Sequence, residues 1–202
     1  MRIDRIFKLS FWKFELKQYK EMLKIDEVFN ATFRGEHDEL SFKEKHSIEY
    51  KIVKLYRKYQ VNHGNAWGYY YRYLLERMSK KTGVDFLGNP NIGKGLIIGH
   101  WGRIVINGNA TFGDDIFLTH GVTIGRDIRG KRAGTPHFGN RIVIRTNSTI
   151  VGNVTIGNDV LIAPNTFVNF DVPDHSIVIG NPATIHHKDN ATEGHIGRLS
   201  YE

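Results

Sequence analysis

Residues 142–162 read Ile142-Val143-Ile144-Arg145-Thr146-Asn147-Ser148-Thr149-Ile150-Val151-Gly152-Asn153-Val154-Thr155-Ile156-Gly157-Asn158-Asp159-Val160-Leu161-Ile162. An aliphatic residue returns every six positions at Ile144, Ile150, Ile156 and Ile162, and a second row two residues earlier holds Ile142, Ser148, Val154 and Val160. No ordinary helix or sheet has that period; a stacked solenoid does, and a hexapeptide period means a parallel β-helix. Working outward, the first row continues to Val168 and back through Phe138, then Ile124, Leu118, Phe112, Ile106, Ile98 and Ile92. The second row continues to Thr166 and resumes upstream as Val122, Ile116, Ala110 and Ile104. Three hexads close one triangular coil, so residues about eighteen apart stack into one internal ladder. A β-sandwich would instead alternate with period two. The fold class predicted is therefore mainly β: a parallel β-helix of hexapeptide repeats.

Composition divides the chain near residue 82. Residues 1–82 hold 18 Lys or Arg against 11 Asp or Glu, and residues 83–202 hold 10 of each, so the net charge of +7 lies in the first part. That part contains no proline and reads as an N-terminal α-helical region, an appendage to the β-helix of residues 83–187, with a tail over 188–202. Cysteine is absent, which removes disulfides, thiolate metal sites and a Cys nucleophile from consideration. Lys8, Lys13 and Lys17 interrupt any apolar N-terminal run, and the default expectation is a cytoplasmic protein.

Within the first part, Ser41-Phe42-Lys43-Glu44 is a capping box that predicts a helix through about Gln60 with Ile48, Ile52, Leu55, Tyr56 and Tyr59 on one face. Asn65 predicts the start of another through Lys80, carrying Trp67, Tyr70, Tyr71, Leu74 and Met78 and ending at Thr82-Gly83. An earlier helix is expected from Phe11 to Leu23. Its Lys13, Lys17, Lys20 and Lys24 form either a solvated face or, beside Phe11, Trp12 and Phe14, a membrane-surface contact. No nucleic-acid reading motif accompanies the basic residues.

From Ile124 to Phe138 the step is fourteen positions where six would continue the coil. The excess leaves as a loop over 125–137, rich in glycine and cations, either a solvated insertion or a holder of a phosphorylated cofactor or acidic acceptor. It carries no Walker pattern. Among few titratable groups in the solenoid, His100 in Ile98-Gly99-His100-Trp101-Gly102-Arg103 stands out as a general base, and Asp85 lies almost one coil earlier, placed to orient the imidazole. His120 follows His100 at coil spacing. No metal-ligand spacing occurs, and His137, His175, His186 and His187 read as loop residues.

Gly83-Val84-Asp85, Ile92-Gly93-Lys94-Gly95, His100, Val122-Thr123-Ile124-Gly125 before the loop, and Gly180-Asn181-Pro182-Ala183 together resemble the acetyl-CoA-dependent serine O-acetyltransferase branch of the left-handed β-helix acyltransferases. The resemblance covers about half the chain. It implies a left-handed coil, acetyl-CoA as donor, no metal, His100 as base with Asp85 as its partner, and a homotrimer with active sites between subunits. It also implies a donor groove past Thr146, Ala163 and Pro164, Lys188 near the donor phosphates, and oxyanion donors near Gly125, beside Arg126. Arg145 stands where relatives carry a small residue and either binds pyrophosphate or narrows the groove.

The departures from the family pattern direct the acceptor reading. Serine-specific members place an acidic residue before the catalytic His, where this chain has Gly99, and an Arg-His pair before the loop-closing Pro, where it has Gly134-Thr135. A charged amino acid without such partners pays a desolvation penalty. The leading expectation is therefore an O-acetyltransferase acting on a sugar or glycan hydroxyl, of the capsule or exopolysaccharide type. Trp101 would stack the sugar, and His120 and His137 would help bind it. The alternatives are a serine O-acetyltransferase of cysteine biosynthesis and a non-catalytic trimeric scaffold.

Overall fold

The computed structural model describes residues 9–35 and 39–197, with side chains over 16–33 and 39–197. From Val84 onward the chain winds as a parallel β-solenoid. Its first coil holds β1 (Val84–Phe86), β2 (Asn91–Ile92) and β3 (Leu96–Ile98), and the second holds β4 (Ile104–Ile106), β5 (Thr111–Phe112) and β6 (Ile116–Leu118). The third has β7 (Thr123–Gly125), β8 (His137–Phe138) and β9 (Ile142–Ile144), and the fourth β10 (Thr149–Val151), β11 (Thr155–Ile156) and β12 (Val160–Ile162). A fifth keeps β13 (Phe167–Val168) and β14 (Ser176–Gly180), on which β15 (Ala183–His187) folds back antiparallel. Strands at equivalent positions stack in parallel into three sheets, which we call A (β1-β4-β7-β10-β13), B (β2-β5-β8-β11) and C (β3-β6-β9-β12-β14).

Both hexad rows point inward. Ile106, Ile124, Ile144, Ile150 and Ile162 of the first row and Ile104, Ile116, Val122 and Val160 of the second are fully buried. Where the second row is polar, the hydroxyl is spent internally: Ser148 Oγ donates to Ala163 O at 2.8 Å, and Gly180 N donates to Thr166 Oγ1 at 3.1 Å. The coil turns at left-handed backbone positions. Arg103, Gly121, Asn147 and Asn165 (φ 45°, 76°, 60° and 58°) form a ladder between sheets C and A. Asp115, Arg141, Asp159 and His175 do the same between sheets B and C.

The helices are α1 (Leu9–Gly35), α2 (Phe42–Lys45), α3 (Ile48–Val61) and α4 (Ala66–Thr82). The capping box at Ser41 forms, but the helix it opens stops after one turn. Ser47 then acts as a second N-cap, its hydroxyl accepting from Tyr50 N at 3.2 Å, so the single predicted helix is two. Asn65 caps α4 as expected, through Gly68 N at 3.0 Å, and Gly83 closes it in the left-handed region at φ 70°. Of the aromatic and aliphatic residues that α4 carries, Tyr71 and Met78 pack against the core. Gly68, Leu75 and Thr82 are buried, whereas Trp67 and Tyr70 are 44% and 50% exposed.

The helical region is more than an appendage, because it closes the open edge of the first coil, whose backbone groups have no strand above them. Arg57, fully buried on α3, pairs with Asp26 of α1 at 2.8 Å and 3.0 Å and donates to Ile92 O at 2.7 Å and to Gly93 O. Leu96 N donates to Asp26 Oδ1 at 2.9 Å, and Asn30 Nδ2 donates to Leu96 O at 2.9 Å. Tyr56 donates to Pro90 O, and Arg72 of α4 reaches Gly88 O at 3.0 Å. The outer face of sheet C is also covered: Ile97, Phe117, Val143 and Leu161 pack under Phe29 and Phe33 of α1 and Ile196 of the tail.

Candidate active site

His100 and Asp85 sit at one edge of the prism. His100 lies in the turn from β3 into β4, and Asp85 is the central residue of β1, its Cα paired with Val105 on the coil that His100 leads into. His100 is exposed and Asp85 half-buried, and no hydrogen bond joins them among the described residues. The next coil adds His120 at the same corner, its ring centroid 6.1 Å from that of His100 and the two rings edge to face. Trp101 stands alongside, 43% exposed. The backbone that sets this corner is continuous, with Gly121 N donating to Gly102 O at 2.8 Å and Asn147 N to His120 O at 3.1 Å.

Around the corner, on the outer face of sheet A, lies an open groove of about 690 Å³ lined by Asp85, Arg103, Val105, Thr123, Asn147 and the last turn of α4 at Ser79. Arg103 was not singled out by the sequence. Its signal was present: it is the position of the C-to-A corner ladder that is neither Gly nor Asn.

Other predicted residues lie elsewhere on the chain. Gly125 ends β7 at the far end of the sheet A strands from His100, with Arg126 next to it. His137 opens β8 on sheet B, where Thr111 Oγ1 meets its Nδ1 at 2.8 Å. His137 is thus a strand residue in the parallel ladder of sheet B, and His186 and His187 are strand residues too, because β15 folds back antiparallel on β14. The loop is a hairpin closed by Asp127 N to Gly134 O at 3.0 Å and Gly134 N to Asp127 O at 2.9 Å. Its return strand rests on the fourth coil through Asn153 N to Arg132 O at 2.8 Å, and Arg132 pairs with Asp171 at 3.2 Å.

Past the corner, Thr119 Oγ1 and Thr146 Oγ1 are 3.3 Å apart on adjacent coils, with Ala163 and Pro164 following β12 on the next. Arg145 is committed to the tail. Its guanidinium lies 5.2 Å over the Phe117 ring and bonds His195 Nδ1 at 2.6 Å. Burial pushes the Arg145 guanidinium below its ordinary range, and burial, then the charges of Arg145 and Lys188, push His195 down. Lys188 therefore shares this cationic edge.

No protein-family profile matches the chain. Among curated proteins, the serine acetyltransferase of Helicobacter pylori strain 26695 is 32% identical over 134 residues, covering 66% of this chain and 78% of that protein. The chain belongs to the serine acetyltransferase family. Arabidopsis thaliana serine acetyltransferase 4 is 38% identical over 114 residues, 55% of this chain, and the match spans only 32% of that longer protein. The Neisseria gonorrhoeae serine acetyltransferase structure superposes with a TM-score of 0.74 at 25% identity, over 89% of this chain and 73% of that one.

These kinships overturn the sugar or glycan acceptor, and with it the stacking role of Trp101 and the link to polysaccharide synthesis. The departures that suggested them have local causes in this serine acetyltransferase homologue. A Cβ on Gly99 would lie 2.7 Å from the Phe117 ring, so packing excludes an acidic residue there. Gly134 has φ 138° and a Cβ there would lie 2.9 Å from Asn153, while Thr135 is buried with its hydroxyl on Asn109 O at 3.1 Å. Gly134 closes the hairpin, and Thr135 ties its end to the second coil. No described helix is long and apolar enough to cross a membrane. The side chains of Phe11, Trp12, Lys13 and Phe14, which prompted the membrane-surface reading, lie outside the described residues.

Proposed function

We propose that the chain is an acetyl-CoA-dependent serine O-acetyltransferase with His100 as its general base. The observation that carries this is kinship with serine acetyltransferases across most of the Helicobacter protein, joined to an exposed imidazole at the edge that also holds Asp85. Neutral His100 takes the proton from the serine hydroxyl as its oxygen attacks the thioester carbonyl, and Asp85 fixes the tautomer and stabilises the imidazolium. Collapse of the tetrahedral adduct breaks the C–S bond, and the imidazolium proton goes to the departing thiolate. The donor runs past Thr146, Ala163 and Pro164 toward Lys188. A crystal structure of a serine acetyltransferase with CoA is among the fold's neighbours, at a TM-score of 0.70 and 21% identity, which speaks for the fold alone.

The working unit in this reading is a homotrimer. Within one chain Gly125, Arg126 and His137 lie away from the His100 corner, and edges of a triangular prism meet when three copies pack about a three-fold axis. Backbone N–H groups at Gly125 then serve as oxyanion donors to a neighbouring copy's acceptor. The test is thiol release from acetyl-CoA with L-serine and with nucleotide sugars in parallel. Saturable O-acetylserine formation supports the reading, and its absence under conditions of intact assembly refutes it.

A further inference from the structure

L-serine carries a carboxylate, and a carboxylate that leaves water needs a cationic or hydrogen-bonding partner. We infer that Arg103, in the groove on sheet A beside Asp85, is the carboxylate ligand of the amino-acid acceptor; this deepens the serine reading and rests on it. Three observations converge. First, Arg103 occupies a left-handed corner position at φ 45°, where the equivalent residues of the following coils are Gly121, Asn147 and Asn165. A long side chain there is strained, and strained positions persist where the side chain has a use.

Second, the other long side chain at a left-handed corner accounts for itself, because Arg141 sits 3.9 Å from the buried Asp159. Arg103 makes no ion pair among the described residues, although Asp85 lines the same groove. Third, the groove is open, adjoins the corner that carries His100 and His120, and offers hydroxyl and amide groups from Ser79, Thr123 and Asn147 for the rest of a small polar molecule. A guanidinium meets a carboxylate through two parallel N–H donors, which fixes the acceptor's orientation as well as holding it. Arg103 is thus a specificity-determining residue, while the proton transfer stays with His100.

The competing assignment is structural. The Arg103 side chain runs beside Gly83, whose Cβ would lie 3.7 Å from Arg103 Cγ, so the charge also neighbours the carbonyl end of α4. Steady-state kinetics of the wild type, Arg103→Gly and Arg103→Lys separate the two, using L-serine and L-serinamide, which keeps the hydroxyl and the amine but lacks the carboxylate. Glycine suits the left-handed position, so Arg103→Gly is expected to fold with an undiminished Tm. Its KM for L-serine should rise roughly 10- to 100-fold, with the KM for acetyl-CoA and the rate on L-serinamide unchanged, and Arg103→Lys should recover part of the loss. A KM for L-serine within two-fold of wild type, or a lowered Tm without a change in KM, overturns the inference. A wild type that does not acetylate L-serine at all fails at the earlier step and refutes the proposed function itself.

Discussion

At Gly99 the chain approaches the ring of Phe117 on the next coil so closely that an added Cβ would lie 2.7 Å from it, and the residue before His100 is chosen by packing. Gly99→Asp is expected to destabilise the fold by about 1–3 kcal/mol through overpacking, measured by chemical denaturation. His100 next to it is exposed and carries no packing duty. His100→Ala should therefore leave Tm unchanged while lowering kcat by roughly 10²–10⁴, the loss of one general base. Wild-type turnover in that variant would remove His100 from the chemistry. Arg57 is the opposite case, fully buried and bonded to Asp26, Ile92 O and Gly93 O. Arg57→Ala leaves the buried Asp26 without its countercharge and Gly93 O without that donor, while Ile92 O keeps the bond from Gln60 Nε2 at 2.8 Å, and should cost about 3–5 kcal/mol of stability. A loss under 1 kcal/mol would mean that water replaces the guanidinium.

The C-terminal segment is the element whose docking depends most on pH. Asp159, buried at the B-to-C corner, accepts from Ala191 N at 2.9 Å, Thr192 N at 3.1 Å and Thr192 Oγ1 at 2.7 Å, and from His175 at 2.8 Å. Burial works to raise its carboxyl, yet the bonds from Thr192, His175 and Ala191 outweigh it and hold it below the usual carboxylate range. Farther along the segment, His195 is held below the ordinary imidazole value of 6.5. Both shifts have one sign: the folded state binds these protons less readily than the unfolded one, so the stabilisation is present above the unfolded values and fades as pH falls. The His195 share goes first, from near 6.5 downward, and the Asp159 share only from the ordinary carboxyl value of 3.8 downward. Hydrogen exchange across residues 189–197 should accelerate relative to the solenoid core between pH 7 and 5, after correction for intrinsic rates. Equal protection at both pH values would contradict the assignment.

For the whole molecule, the prediction is assembly. Sheet C is covered by α1 and the tail, whereas on the outer face of sheet A, in register beyond the groove at Val105 and Thr123, Thr149 and Phe167 are only half-buried. Sedimentation at micromolar concentration should report a trimer, and a monomer would leave Gly125 and His137 without a corner to serve. The solenoid itself was legible in the sequence, since a hexad row is a local pattern in which each residue's inward direction follows from its place in the repeat. The loop was legible for the same reason, as a break in the count, and the proposed base His100 stood out as a rare titratable group in an aliphatic ladder. What the sequence left undecided were the contacts between coils and across regions. The pairing of Asp26 with Arg57, the phase of α4, the steric reason for Gly99 and the placing of Arg103 beside Asp85 each depend on residues 15 or more apart meeting in space. Periodicity fixes which way a side chain points, and only the packed tertiary structure decides what it meets.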